Sequence, residues 1–172
     1  TAPVVVERNT ATGFYLATIV DDELLTTGLD VTVETSGSRV PSFASAMPSP
    51  PTATLTSSLP AEFGRIPSTS PLDLAWTSDG DEGELVFVLR AIAPHDNIVA
   101  ECVFEVAAGA AQVPAEAIAQ VASLQAIQSV SLEVETRVRS TVAPEDFAVS
   151  LALVVTALSG DLDAIRAIEG FD

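Results

Sequence analysis

Apolar and polar residues alternate with a period of two in short runs separated by Gly, Pro, Ser, Asp and Thr, the pattern of half-buried antiparallel strands. Leu29, Val31 and Val33 alternate with Asp30, Thr32 and Glu34, and Leu72, Leu74 and Trp76 alternate with Asp73, Ala75 and Thr77. Ile98, Ala100, Cys102, Phe104 and Val106 alternate with Val99, Glu101, Val103 and Glu105, which puts the cysteine on the apolar side of its strand. Val130, Leu132, Val134, Thr136 and Val138 alternate with Ser129, Ser131, Glu133, Glu135, Arg137 and Arg139. Further strand candidates are Val4–Glu7, Gly13–Asp21, Thr52–Ser57, Glu84–Ile92 and Phe147–Leu158. About nine strands with turn residues between them predict an all-β fold, an antiparallel immunoglobulin-like β-sandwich.

Two segments depart from alternation. Pro114 begins a stretch with Ile118, Val121 and Leu124 at helical spacing, which predicts one short helix over 114–124 with proline at its first position. The closing segment from Asp161, with Leu162, Ile165, Ile168 and Phe171, suggests a last helical turn or two capped by Asp161. Seven prolines lie between Pro41 and Pro71. Proline removes ladder donors, so 40–70 reads as extended connecting chain with at most edge strands. It separates N-terminal strands in 1–39, packed on or paired with the main unit, from a sandwich core in 71–172. Phe147–Leu158 is apolar on both faces. That suits a central strand covered on its outer side by the helix or the N-terminal part, the commoner arrangement, or a strand facing another subunit.

Composition narrows the function. The 172 residues hold 24 acids and 7 basic residues, all arginine, for a net charge of −17. Nucleic acid and anionic membrane are excluded as partners, because phosphates are neutralised by clustered Lys and Arg. One histidine, one cysteine and no lysine leave few nucleophiles, bases or soft-metal ligands. The longest apolar stretch falls short of the ~20 residues of a transmembrane helix.

The strings "VPSFASAMPSPP" at 40–51, "PLDLAWTSDGDEG" at 71–83 and "IVAECVFEVAAGAAQVPAEAIAQVA" at 98–122, followed by an alternating strand at 127–139, resemble a pattern in secreted proteins and lipoproteins of myxobacteria and related bacteria. The resemblance covers about half the chain and rests on structural residues. It implies an exported β-sandwich, extracellular or at the cell surface after loss of an export signal, and it assigns no catalytic residue. Members typically begin the mature chain with a lipid-attachment cysteine. Thr1 stands first here, which favours release or assembly outside the cell.

Candidate chemistry is sparse. Asp79, Asp81, Glu82 and Glu84 offer hard oxygen ligands of the kind calcium takes, although the glycine spacing is not that of an EF-hand. The same Asp-Gly residues suit a plain hairpin turn between the Trp76 and Val86 strands, which is their commoner use. Asp21, Asp22, Glu23, Asp161 and Asp163 read as solvated acids. His95 beside Asp96 lies in a turn by composition and lacks a second partner for acid/base work. Cys102 reads as a small buried apolar residue. Trp76 reads as the core aromatic between sheets, with sugar stacking at a sandwich edge as the alternative. Val4, Val5 and Val6 form a β-prone segment able to pair within the chain or with a neighbour. If it crosses, the contact is head-to-tail and propagates as a filament.

The expectation is therefore a non-enzymatic extracellular or cell-surface structural protein without a resident cofactor. It self-associates through Val4, Val5, Val6, Val149, Leu151 and Leu153 as a homo-oligomer or surface assembly. The alternative is a secreted module that binds carbohydrate or protein, assisted by calcium.

Overall fold

A computed structural model describes residues 28–35, 41–57, 66–67, 69–144, 148–162 and 168–169. The strand candidates Val4–Glu7 and Gly13–Asp21, with Asp21, Asp22, Glu23 and Asp163, lie outside the described residues. The elements are β1 (Asp30–Thr35), β2 (Phe43–Pro48), β3 (Ala53–Leu55), β4 (Ile66–Pro67), β5 (Leu72–Ser78), β6 (Glu84–Ala93), β7 (Asp96–Glu105), β8 (Ala110–Val113), α1 (Ala115–Ala122), β9 (Ser129–Val142), β10 (Val149–Leu162) and β11 (Ile168–Glu169).

The fold is all-β and sandwich-like. One antiparallel sheet has the order β10-β9-β6-β7 and another the order β3-β5-β8, while β1-β2 form an antiparallel pair and β11-β4 a short parallel one. The alternation seen in the sequence sets the two layers. Leu85, Phe87, Leu89 and Ala91 of β6 point inward together with Val130, Leu132 and Val134 of β9, and meet Leu72, Leu74 and Trp76 of β5 in one core. Phe87 and Leu89, each with no exposed surface, centre this core, and burying such side chains contributes about 2 kcal/mol apiece. Trp76 is 4% exposed, donates its indole N–H to the Val106 carbonyl at 2.7 Å, and lies with its ring centroid 6.4 Å from that of Phe104. It is a core residue, with its polar handle satisfied.

The predicted helix is present as α1, with Pro114 at the N-cap, one residue before the position expected for it. Ile118 and Val121 are fully buried, and the helix packs on β7 and β6. The described part of the proline-rich segment, 41–57, is extended chain that includes β2 and β3. β3 is an edge strand of the three-stranded sheet, and Thr136 Oγ1 donates to the Pro51 carbonyl.

Three expectations are corrected. Asp79–Gly83 is not a hairpin turn, because β5 and β6 belong to different sheets and the segment crosses between layers. Gly83 makes the crossing possible: its φ is +107°, and a Cβ there would lie 2.8 Å from the Arg137 carbonyl oxygen. Asp161 and Leu162 do not open a helix. A bulge between Thr156 and Leu158 re-registers β10, so Asp161 and Leu162 pair with Ser131 and Val130. Finally, β10 is not a central strand among the described residues. It pairs with β9 alone and forms an edge of its sheet.

Candidate functional site

Since one face of the four-stranded sheet packs into the core, the register defines the other face row by row. Glu84 is flanked by Glu105 and Arg137, Val86 by Val103 and Glu135, Val88 by Glu101 and Glu133, Arg90 by Val99 and Ser131, and Ile92 by Asn97 and Ser129. On β10, Val154 stands opposite Arg137 and Ala152 opposite Arg139. Among the described residues, four of the five exposed large apolar side chains fall on this face, namely Ile92, Val99, Val103 and Val154.

Charge on the face is organised by Arg137. Its Nε donates to Glu84 Oε2 at 3.0 Å and its Nη2 to Glu101 Oε1 at 2.9 Å. Glu84 is on β6 and Glu101 on β7, so the guanidinium reaches across β6 and roofs Val86, which has no exposed surface although it points away from the core. Arg139 approaches the same two carboxylates at 3.4 and 3.6 Å. Two guanidiniums thus meet two carboxylates in a closed network whose central member, Arg137, keeps 11% of its side-chain surface. Burial alone would lower the Arg137 pKa, but the two carboxylates outweigh it and the net shift is upward. Glu135 is pushed up, first by burial and then by the Glu133 charge, against partial relief from Arg137.

The four acids of the calcium expectation are not gathered. Asp79 Oδ1 accepts the Thr52 backbone N–H at 2.7 Å, and the Asp79 N–H returns to the Thr52 carbonyl, which pins β3 to the end of β5. Glu84 turns to the guanidiniums, while Asp81 and Glu82 point to solvent. Among the described residues no group of three His, Cys, Asp or Glu side chains is placed to hold a metal ion.

His95 is exposed in the β6–β7 turn, and the neighbouring Asp96 carboxylate accepts the Asn97 backbone N–H. Cys102 is half-buried on the inward face, and burial followed by the Glu101 charge raises its pKa, so the thiolate is disfavoured. The indole face of Trp76 is enclosed and does not offer a sugar platform.

Of the predicted contact residues, Val149, Leu151 and Leu153 lie half-buried along one face of β10. Val4, Val5 and Val6 lie outside the described residues. The Arg137 network has no counterpart among the residues the sequence singles out. Its signal is the pair Arg137 and Arg139, two residues apart on the wet side of a strand whose other wet positions include Glu133 and Glu135.

No protein-family model, curated protein or solved structure matches this chain. No described helix is long and apolar enough to cross a membrane.

Proposed function

We propose that the chain is a non-enzymatic β-sandwich subunit that works outside the cell or at its surface and associates with further copies of itself through the four-stranded sheet. The carrying observation is the gathering of Ile92, Val99, Val103 and Val154 on one sheet face, each at least 40% exposed, around the Arg137 network. A mixed apolar and charged face of this kind suits contact with a protein surface, because apolar area drives association and fixed charge pairs set orientation. The resemblance to exported bacterial sandwiches supports the extracellular setting.

The test is the mass of the purified protein by size exclusion with light scattering, over about 1 to 200 µM at low and high salt. Association that rises with salt and falls in a Val99→Ser, Val103→Ser double variant of unchanged circular dichroism is the expected outcome. A strict monomer under every condition overturns the proposal.

A further inference from the structure

Every sheet ends in two edges, and an unpaired edge is a template for another strand. Among the described residues most edges are blunted. β7 carries Asp96, Glu101 and Glu105, and β1 carries Asp30 and Glu34. β3 has three residues, and β8 has four and is followed by Pro114. β2 is uncharged, but it has six residues and ends on Pro48.

β10 is the exception. From Val149 to Thr156 it contains no charge, no proline and no glycine. Its half-buried residues Val149, Leu151, Leu153 and Val155 line the inward face, and Ser150, Ala152, Val154 and Thr156 are exposed on the other. The bulge after Thr156 twists the strand and ends the regular stretch.

On these grounds we infer that β10 pairs antiparallel with β10 of a second copy about a twofold axis at Ala152, joining two four-stranded sheets into one continuous sheet. This goes beyond the self-association proposed above and adds a second contact between copies, at the sheet edge opposite β7 and separate from the Val99 and Val103 face. Opposite residues in an antiparallel pair share a face, so the two copies must meet at positions of equal parity. An axis at Ala152 satisfies this. It sets Leu151 against Leu153 and Val149 against Val155 on the inward face, with Ala152 against Ala152 and Ser150 against Val154 on the outer face.

Charge selects the occupant. Each copy carries −17, so two copies approach best where neither presents a carboxylate, and a strand facing itself in this register brings only uncharged residues together. Because the contact uses the same patch on both copies, it closes as a dimer and leaves the Val99 and Val103 face available for other contacts.

Three substitutions at Ala152 and one deletion test the pairing. Ala152→Lys places like charges opposite each other on an exposed position and is expected to raise the dimer dissociation constant about fivefold or more. Ala152→Glu does the same, and an equimolar mixture of the two variants restores pairing as a heterodimer. In a Cys102→Ser background, Ala152→Cys is expected to form disulfide-linked dimers on mild oxidation, because opposite Cβ atoms lie about 5 Å apart. Deletion of Thr1–Glu7 leaves the dimer intact.

Wild-type association that persists in Ala152→Lys, with no Ala152→Cys cross-link, overturns the edge pairing while the proposed function stands. Loss of the dimer on deletion of Thr1–Glu7 also overturns it, in favour of strand donation by Val4–Glu7. A wild-type protein that is monomeric throughout overturns both.

Discussion

Replacing Arg137 with alanine measures what holds the outer face together. The side chain makes two charge-assisted hydrogen bonds, at 3.0 and 2.9 Å. Bonds to charged groups contribute about 1.5–3 kcal/mol each when desolvated. Glu84 and Glu101 keep 36% and 43% of their side-chain surface, so water screens them and each bond counts for about 1 kcal/mol or less. Loss of the roof over Val86 adds about 0.5 kcal/mol. Arg139, at 3.4 and 3.6 Å from the same carboxylates, recovers part of the deficit. The expected loss is therefore about 2 kcal/mol by urea unfolding. A double-mutant cycle with Glu101→Gln should give a coupling of about 1 kcal/mol that shrinks in molar salt. Arg137→Met, which keeps the apolar stem, should lose less than the alanine variant. A loss below about 0.5 kcal/mol for Arg137→Ala, with no coupling, would show that the network is an ordinary surface ion pair and refute the reasoning.

Gly83→Ala should destabilise by about 3 kcal/mol, since φ of +107° strains any other residue and the added Cβ meets the Arg137 carbonyl oxygen, which is backbone and cannot swing aside; a wild-type melting temperature would show that the layer crossing tolerates a side chain. For Glu135 the folded pKa is raised above its unfolded value. The folded state therefore holds the proton more tightly, and its contribution favours folding at low pH and is lost as pH rises through the folded pKa. Glu135→Gln should thus melt higher than wild type at neutral pH, with the gap closing towards about pH 4; a gap independent of pH contradicts the burial and Glu133 repulsion assigned to this residue.

Much of the fold was legible because alternation reports burial directly. The alternation of Leu72, Leu74 and Trp76 predicts one face of a strand, and they form one wall of the core; the spacing of Ile118, Val121 and Leu124 predicts a helix face, and all three are buried, with Leu124 two residues past the end of α1. What escaped depends on which strands become neighbours, and this pairing is non-local. An Asp-Gly turn has much the same composition whether it closes a hairpin or crosses between layers, so composition alone points Asp79–Gly83 to the commoner use. Phe147–Leu158 shows two apolar faces in either a central or an edge position. Leu85–Leu89 is an unbroken apolar run, which hid that Val86 and Val88 belong to the outer face. The contacts of Arg137 likewise follow from the register of β9 against β6, which no local pattern encodes.

Placement of the acids ties the charge to the architecture. Glu101 and Glu105 on β7, Glu133 and Glu135 on β9 and Glu84 on β6 all point away from the core, where they keep one sheet face wet and guard its β7 edge. The arginines on that face, Arg90, Arg137 and Arg139, answer three of those five charges. This face is therefore far less repulsive than −17 for the whole chain implies, and the adjoining β10 edge carries no charge from Val149 to Thr156. Like-charged copies repel over distances beyond the Debye length of about 10 Å at 0.1 M salt, but contact is decided at shorter range by what the meeting surfaces carry. Salt should accordingly speed and strengthen association by screening the long-range repulsion. Substitutions that place a charge within Val149–Thr156 should weaken it even at high salt, because the penalty then lies inside the contact.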